Sequence, residues 1–86
     1  MTTMGNEMVA RGWERAAIEA SLDVTCRMPA REQAGKHAQA AERFGVAAGL
    51  YRVAGMLASA LACEQDAAWH SRQAQYSARV AEKVGA

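Results

Sequence analysis

The chain has 86 residues, of which 51% are hydrophobic and 22% charged, and it carries a formal charge of +1. A chain of that length forms one domain, 1–86, and buries only about 60–65% of the surface its unfolded form exposes, which excludes an extensive core. Acids and bases are interspersed along the sequence, so charge gives no general case for binding nucleic acid or an anionic membrane.

Within that composition 21 residues are alanine and 11 are Val, Ile or Leu, with a single proline. Alanine has the best intrinsic helix propensity, yet it adds little buried area at roughly 0.8 kcal/mol per CH₂. β-Branched residues are too few to build a sheet. The expected class is all-α, a small bundle of three helices at about 6–26, 29–62 and 65–84.

The first helix is expected to open at Asn6 as N-cap, with Glu7 in the first turn, where the helix dipole favours a carboxylate. Val9, Trp13, Ala16, Ala17, Ala20 and Val24 then form a stripe of 3.6 period, with Ile18, Leu22 and Cys26 as a second row. Glu7 and Arg11 form a favourable i,i+4 pair. Pro29 ends this helix or begins the next, which places the boundary between Asp23 and Pro29. From Ala30 onward, Ala34, Ala38, Ala41, Gly45 and Ala48 make a small-residue face suited to packing on the Trp13 stripe.

From Phe44 to Cys63 a single charge, Arg52, interrupts an apolar run. Val46, Leu50, Val53, Leu57 and Leu61 follow heptad-like spacing there and predict a buried seam on a long, buried middle helix. Past Leu61 the large apolar residues shift to Trp69, Tyr76 and Val80, which places a break at 62–66. The last helix closes with Lys83 at the negative end of its dipole and Gly85 as the C′ residue. Such a middle helix spans about 50 Å against about 30 Å for its neighbours at 1.5 Å per residue. Either a kink near Gly45 or Gly49, or a second copy of the chain, is needed to cover it. The run of apolar residues favours a homodimer.

Run 44–63 has the length of a membrane span, but Arg52 near its centre and the weak hydrophobicity of alanine argue against a membrane. Cys63, Asp66 and His70 fall on one helix face at i, i+3 and i+7, a spacing that could offer metal ligands. There is no CxxC and no second His on that face, so no metal or cofactor is expected and a solvated face with one buried thiol is the simpler expectation. A Cys63–His70 nucleophile lacks an oxyanion cradle, and no enzyme is expected. Two cysteines, Cys26 and Cys63, make no disulfide framework and are expected to be reduced, packed thiols. No signal-peptide pattern opens the sequence, so a cytoplasmic location is expected.

Ala17, Leu22, Asp23, Val24 and Thr25 resemble the first helix and turn of a helix-turn-helix motif. The resemblance implies a small DNA-binding regulator using 16–31, with Thr25 capping the recognition helix and Arg27 and Arg31 meeting DNA. Pro29 at the fourth position of that helix and Asp23 in place of the turn glycine depart from the pattern. Trp13, Trp69 and Tyr76 are expected to anchor the core. Their alternative role is an exposed protein-binding patch of Trp69, Arg72, Tyr76 and Arg79. The leading expectation is a small non-enzymatic helical protein acting through a protein partner. By size class alone it sits beside adaptors, antitoxins and phage or plasmid inhibitors of host machinery such as anti-CRISPR proteins.

Overall fold

The computed structural model describes residues 2–85, with side chains from Gly5 onward. It is all-α, with α1 at Thr2–Leu22, α2 at Ala30–Val53 and α3 at Leu57–Lys83. α2 packs against both neighbours in an elongated bundle of 51 × 17 × 13 Å.

α1 runs through Asn6, which is therefore an interior residue and not the N-cap. The Glu7–Arg11 pair forms as expected. α1 ends at Leu22, four residues short of the expected end. The Asp23 N–H bonds to the carbonyls of Glu19 and Ala20 and the Val24 N–H to that of Ser21, a tightened last turn. β-Branched Val24 and Thr25, which are weaker helix formers, follow it in the connection. The connection to α2 is tied down by Gln33, whose Nε2 donates to the carbonyls of Met28 at 2.7 Å and Thr25 at 3.2 Å. Pro29 stands just before α2 with ψ 147°, and its carbonyl accepts the Gln33 N–H at 3.0 Å.

The largest correction concerns the segment 44–63, which is two helices joined by a tight turn. α2 stops at Val53, Ala54 and Gly55 turn the chain, and α3 starts at Leu57. Gly55 adopts φ +80°, a left-handed conformation that costs other residues roughly 1–2 kcal/mol. Its N–H bonds to the Arg52 carbonyl at 3.1 Å and the Met56 N–H to that of Tyr51 at 2.9 Å. This is a Schellman motif, with the C″ residue Met56 packed against the core cluster that contains Tyr51. The expected break at 62–66 lies inside α3, and α2 continues through Gly45 and Gly49. Gly85, at φ +71°, is the C′ residue of α3 as expected.

The core is built mainly from alanine. Ala10, Ala17 and Ala20 of α1 meet Ala40, Phe44, Ala47, Ala48 and Tyr51 of α2, and Ala60 and Cys63 complete the cluster from α3. Polar contacts fix both neighbours antiparallel to α2. Arg43 Nη1 donates to the Ala16 carbonyl at 3.0 Å, and Lys36 pairs with Asp23 at 3.3 Å. On the other side Arg52 pairs with Glu64.

The expected heptad seam is largely outside this core. Val53, Leu57 and Leu61 are 71%, 61% and 54% exposed, Val46 is exposed and Leu50 only half-buried. α2 has one inward half, and the half holding Phe44 and Tyr51 among three alanines takes it, since alanine lets helices approach closely. For the same reason Ala38 and Gly45 of the expected small-residue face are exposed. Trp13, Trp69 and Tyr76 are not core anchors either: all three are exposed.

A Cβ at Gly55 would meet nothing within 4 Å, so Gly55→Ala tests the turn's backbone alone. It is expected to destabilise the protein by about 1–2 kcal/mol, with Gly55→Asn milder, measured by urea unfolding.

Candidate functional site

Two seven-residue spacings lead inward. On α2, His37, Phe44 and Tyr51 are buried, and on α3, Cys63, His70 and Ser77 are buried. Because a heptad nearly completes two turns, each trio lines one face. The two rows meet at the histidines.

His37 and His70 place their Nδ1 atoms 2.9 Å apart. Both rings are more than nine-tenths buried. At that distance one Nδ1 must donate and the other accept, so the neutral pair consists of one Nδ1–H ring and one Nε2–H ring. Aromatic side chains enclose it. Phe44 stacks on His70 with centroids 5.6 Å apart and planes 13° from parallel. Trp69 meets His70 edge-on at 4.8 Å and His37 edge-on at 5.8 Å. Burial lowers the proton affinity of both rings. For His70 the neighbouring His37 lowers it further, and Asp66 acts in the opposite direction.

Two turns along α3, Cys63 is buried and its thiol is pushed up to about 11, first by burial and then by the Glu14 and Asp66 carboxylates. It is therefore a protonated thiol at neutral pH and a poor nucleophile. Glu14 accepts a hydrogen bond of 2.6 Å from the Tyr51 hydroxyl. Burial and that carboxylate together raise the phenol to about 12.

Cys63 and His70 are both buried while Asp66 is exposed, so the expectation of a solvated face with one buried thiol is corrected. Among the described residues no three His, Cys, Asp or Glu side chains come together as metal ligands. Cys26 is exposed and free and Cys63 buried and free, so only one of them is a packed thiol. The helix-turn-helix register does not form: Thr25 lies in the connection, seven residues separate α1 from α2, and α2 begins at Ala30. Arg27 sits in that connection and Arg31 in the first turn of α2, both exposed.

Trp69, Arg72, Tyr76 and Arg79 all lie on the outside of α3. Their spacing of three, four and three residues keeps them on one stripe. Trp69 is 47% exposed and Tyr76 60%. Among the described residues the ion pairs use Arg11, Lys36 and Arg52, leaving the two stripe arginines outside any of them. Trp69 belongs to both features, packing near-perpendicular to both histidine rings and standing 47% exposed. No helix is long and apolar enough to cross a membrane among the described residues.

No family model matches the chain, and neither a curated protein nor a solved structure matches it.

The histidine pair makes stability depend on pH. Each ring binds its proton less readily in the folded state than at its ordinary value of 6.5, so below that pH the unfolded chain takes up protons that the folded one resists. Stability is full above about pH 6.5 and falls as pH drops, by up to about 1.4 kcal/mol per pH unit for each ring. Urea unfolding at a series of pH values is expected to show this slope, and His70→Phe is expected to flatten it.

Proposed function

We propose that the chain is a small non-enzymatic helical interaction protein, of the adaptor or inhibitor kind, that pairs with a second copy and offers the outer stripe of α3 to a protein partner. The carrying observation is the inversion of size across its surface. Alanines fill the core while Val46, Val53, Leu57, Leu61, Trp13, Trp69 and Tyr76 stand outside it.

Self-pairing fits the face around the Ala54–Met56 turn. Gly45, Gly49 and Val53 recur every four residues on the outward side of α2, and Leu57 and Leu61 are exposed in the first turns of α3, just past the connection. The nearby charges Arg52 and Glu64 already pair with each other. Interior glycines cost a helix about 1 kcal/mol each. A Cβ at Gly45 or Gly49 would meet nothing within 4 Å, so the single chain gives no packing reason for them. A partner helix lying close would. Full burial of a Val or Leu side chain is worth about 1.5–3 kcal/mol. The gross gain for the three such side chains of each copy is of the same order as the roughly 4–15 kcal/mol cost of association. Pairing is therefore reversible and depends on concentration.

The α3 stripe suits a different occupant. In an antiparallel pairing with itself, Arg72 would oppose Arg79, and like charges face to face disfavour that arrangement. Trp, Tyr and Arg are the residues that dominate protein-binding hot spots. The stripe therefore suits a protein partner other than this chain.

Sedimentation over a wide concentration range tests the pairing, with the double variant Gly45→Ala, Gly49→Ala as its control. The variant is expected to raise the stability of the single chain by about 1–2 kcal/mol through helix propensity while weakening the dimer. A monomer at every concentration contradicts self-pairing. An unchanged dimer constant in the variant removes the glycine face from it.

A further inference from the structure

We propose that the His37–His70 pair is a proton-operated latch: neutral, it clamps α2 to α3 and seats Trp69, and on taking up two protons it releases Trp69 and reshapes the outer stripe of α3. The latch rests on the interaction surface proposed above for its purpose, though not for its chemistry.

The chemistry follows from the contact atoms. In the neutral pair one Nδ1–H spans the 2.9 Å gap to the other Nδ1. The first proton from solvent can go to the free Nε2 of the donor ring, which becomes an imidazolium and keeps its bond, now assisted by charge. The second proton has only the shared Nδ1 of the acceptor ring to occupy. Two N–H groups then point at each other across 2.9 Å, and the pair passes from a charge of +1 to +2 in a buried site. The rings must separate. Protons therefore enter in two steps that belong to the pair and to neither ring alone.

The surroundings give the second charge little support. Phe44 and Trp69 pack against the imidazoles. From α3 the facing charge is Asp66, one turn before His70 and itself exposed. On α2 the adjacent Lys36 is engaged with Asp23 at the end of α1. The α1 carboxylate Glu14 is committed to Tyr51 beside Cys63, two turns of α3 away. Because Trp69 touches both rings, their separation removes its inner contacts, and the side chain that leads the α3 stripe moves with them.

The test uses the full chain carrying Trp13→Phe, so that Trp69 is the sole tryptophan, with ¹⁵N-labelled histidine, followed from about pH 8 to pH 5. At the upper end the ring nitrogen shifts are expected to show one Nδ1–H and one Nε2–H tautomer, and two separated titration steps below it. Trp69 is 47% exposed, so its release is expected to about double acrylamide quenching, together with the second step and with helical circular dichroism retained. Two Nε2–H rings at neutral pH, a single shared step for both rings, or unchanged quenching across both steps would overturn the latch. His70→Phe is expected to abolish the quenching change. Should that variant not fold, the tautomers and steps of the intact pair decide the matter alone. Sedimentation at the same pH values separates the two proposals: a chain monomeric throughout sinks self-pairing while the tautomers and quenching still decide the latch.

Discussion

Packing of α1 and α3 against α2 through a mainly alanine core is the constraint from which the other features follow. With Ala10, Ala17 and Ala20 of α1 and Ala40, Ala47 and Ala48 of α2 in one cluster, the core is made largely of small side chains. Phe44, Tyr51 and Cys63 enter because they lie on the inward line of their helices. Val53, Leu57 and Leu61, similar in hydrophobicity to many core residues, lie off that line and face outward. A core so built gains little apolar burial per residue, and a chain of this length is short of burial to begin with. The molecule thus holds a deficit inside and a surplus of apolar surface outside, and the self-pairing proposed above would relate the two.

The same geometry explains the polar interior. Tyr51 reaches past the alanines of α2 to Glu14 on α1. His37 and His70 fill the space opposite Phe44 by bonding to each other. Buried polar groups are tolerated when satisfied and costly otherwise, and among the described residues no buried side-chain nitrogen or oxygen lacks a partner. The histidine contact is the one whose satisfaction depends on protons. It also lies directly beneath Trp69, where the core meets the proposed partner stripe.

Much of the architecture was legible from composition: the all-α class, three helices, the connection between Asp23 and Pro29, and Gly85 as the final C′ residue. The break between α2 and α3 is masked in the sequence because Val46, Leu50, Val53, Leu57 and Leu61 keep heptad-like spacing straight through it. Gly55 carried the correct signal, since a glycine followed by an apolar Met56 is what a Schellman turn requires. The core rows were also legible, as His37, Phe44 and Tyr51 and as Cys63, His70 and Ser77, each seven apart. Histidine and serine interrupt them, however, and hydrophobicity alone points to the Val and Leu row. Their juxtaposition across two helices depends on where the turn falls, so the histidine pair could not be seen before the turn was placed. Trp69, Arg72, Tyr76 and Arg79 were recognisable as one stripe from spacing alone, but its exposure required the structure.

The most direct test of the relation between a thin alanine core and an apolar exterior is the urea midpoint of the intact chain at neutral pH, measured over about a hundredfold range of protein concentration. Binding to the folded state alone raises apparent stability by mass action, so a chain completed by a second copy shows a midpoint that climbs with concentration. A midpoint that stays fixed over the whole range would mean that the single chain stands on its alanine core unaided, and would contradict the account.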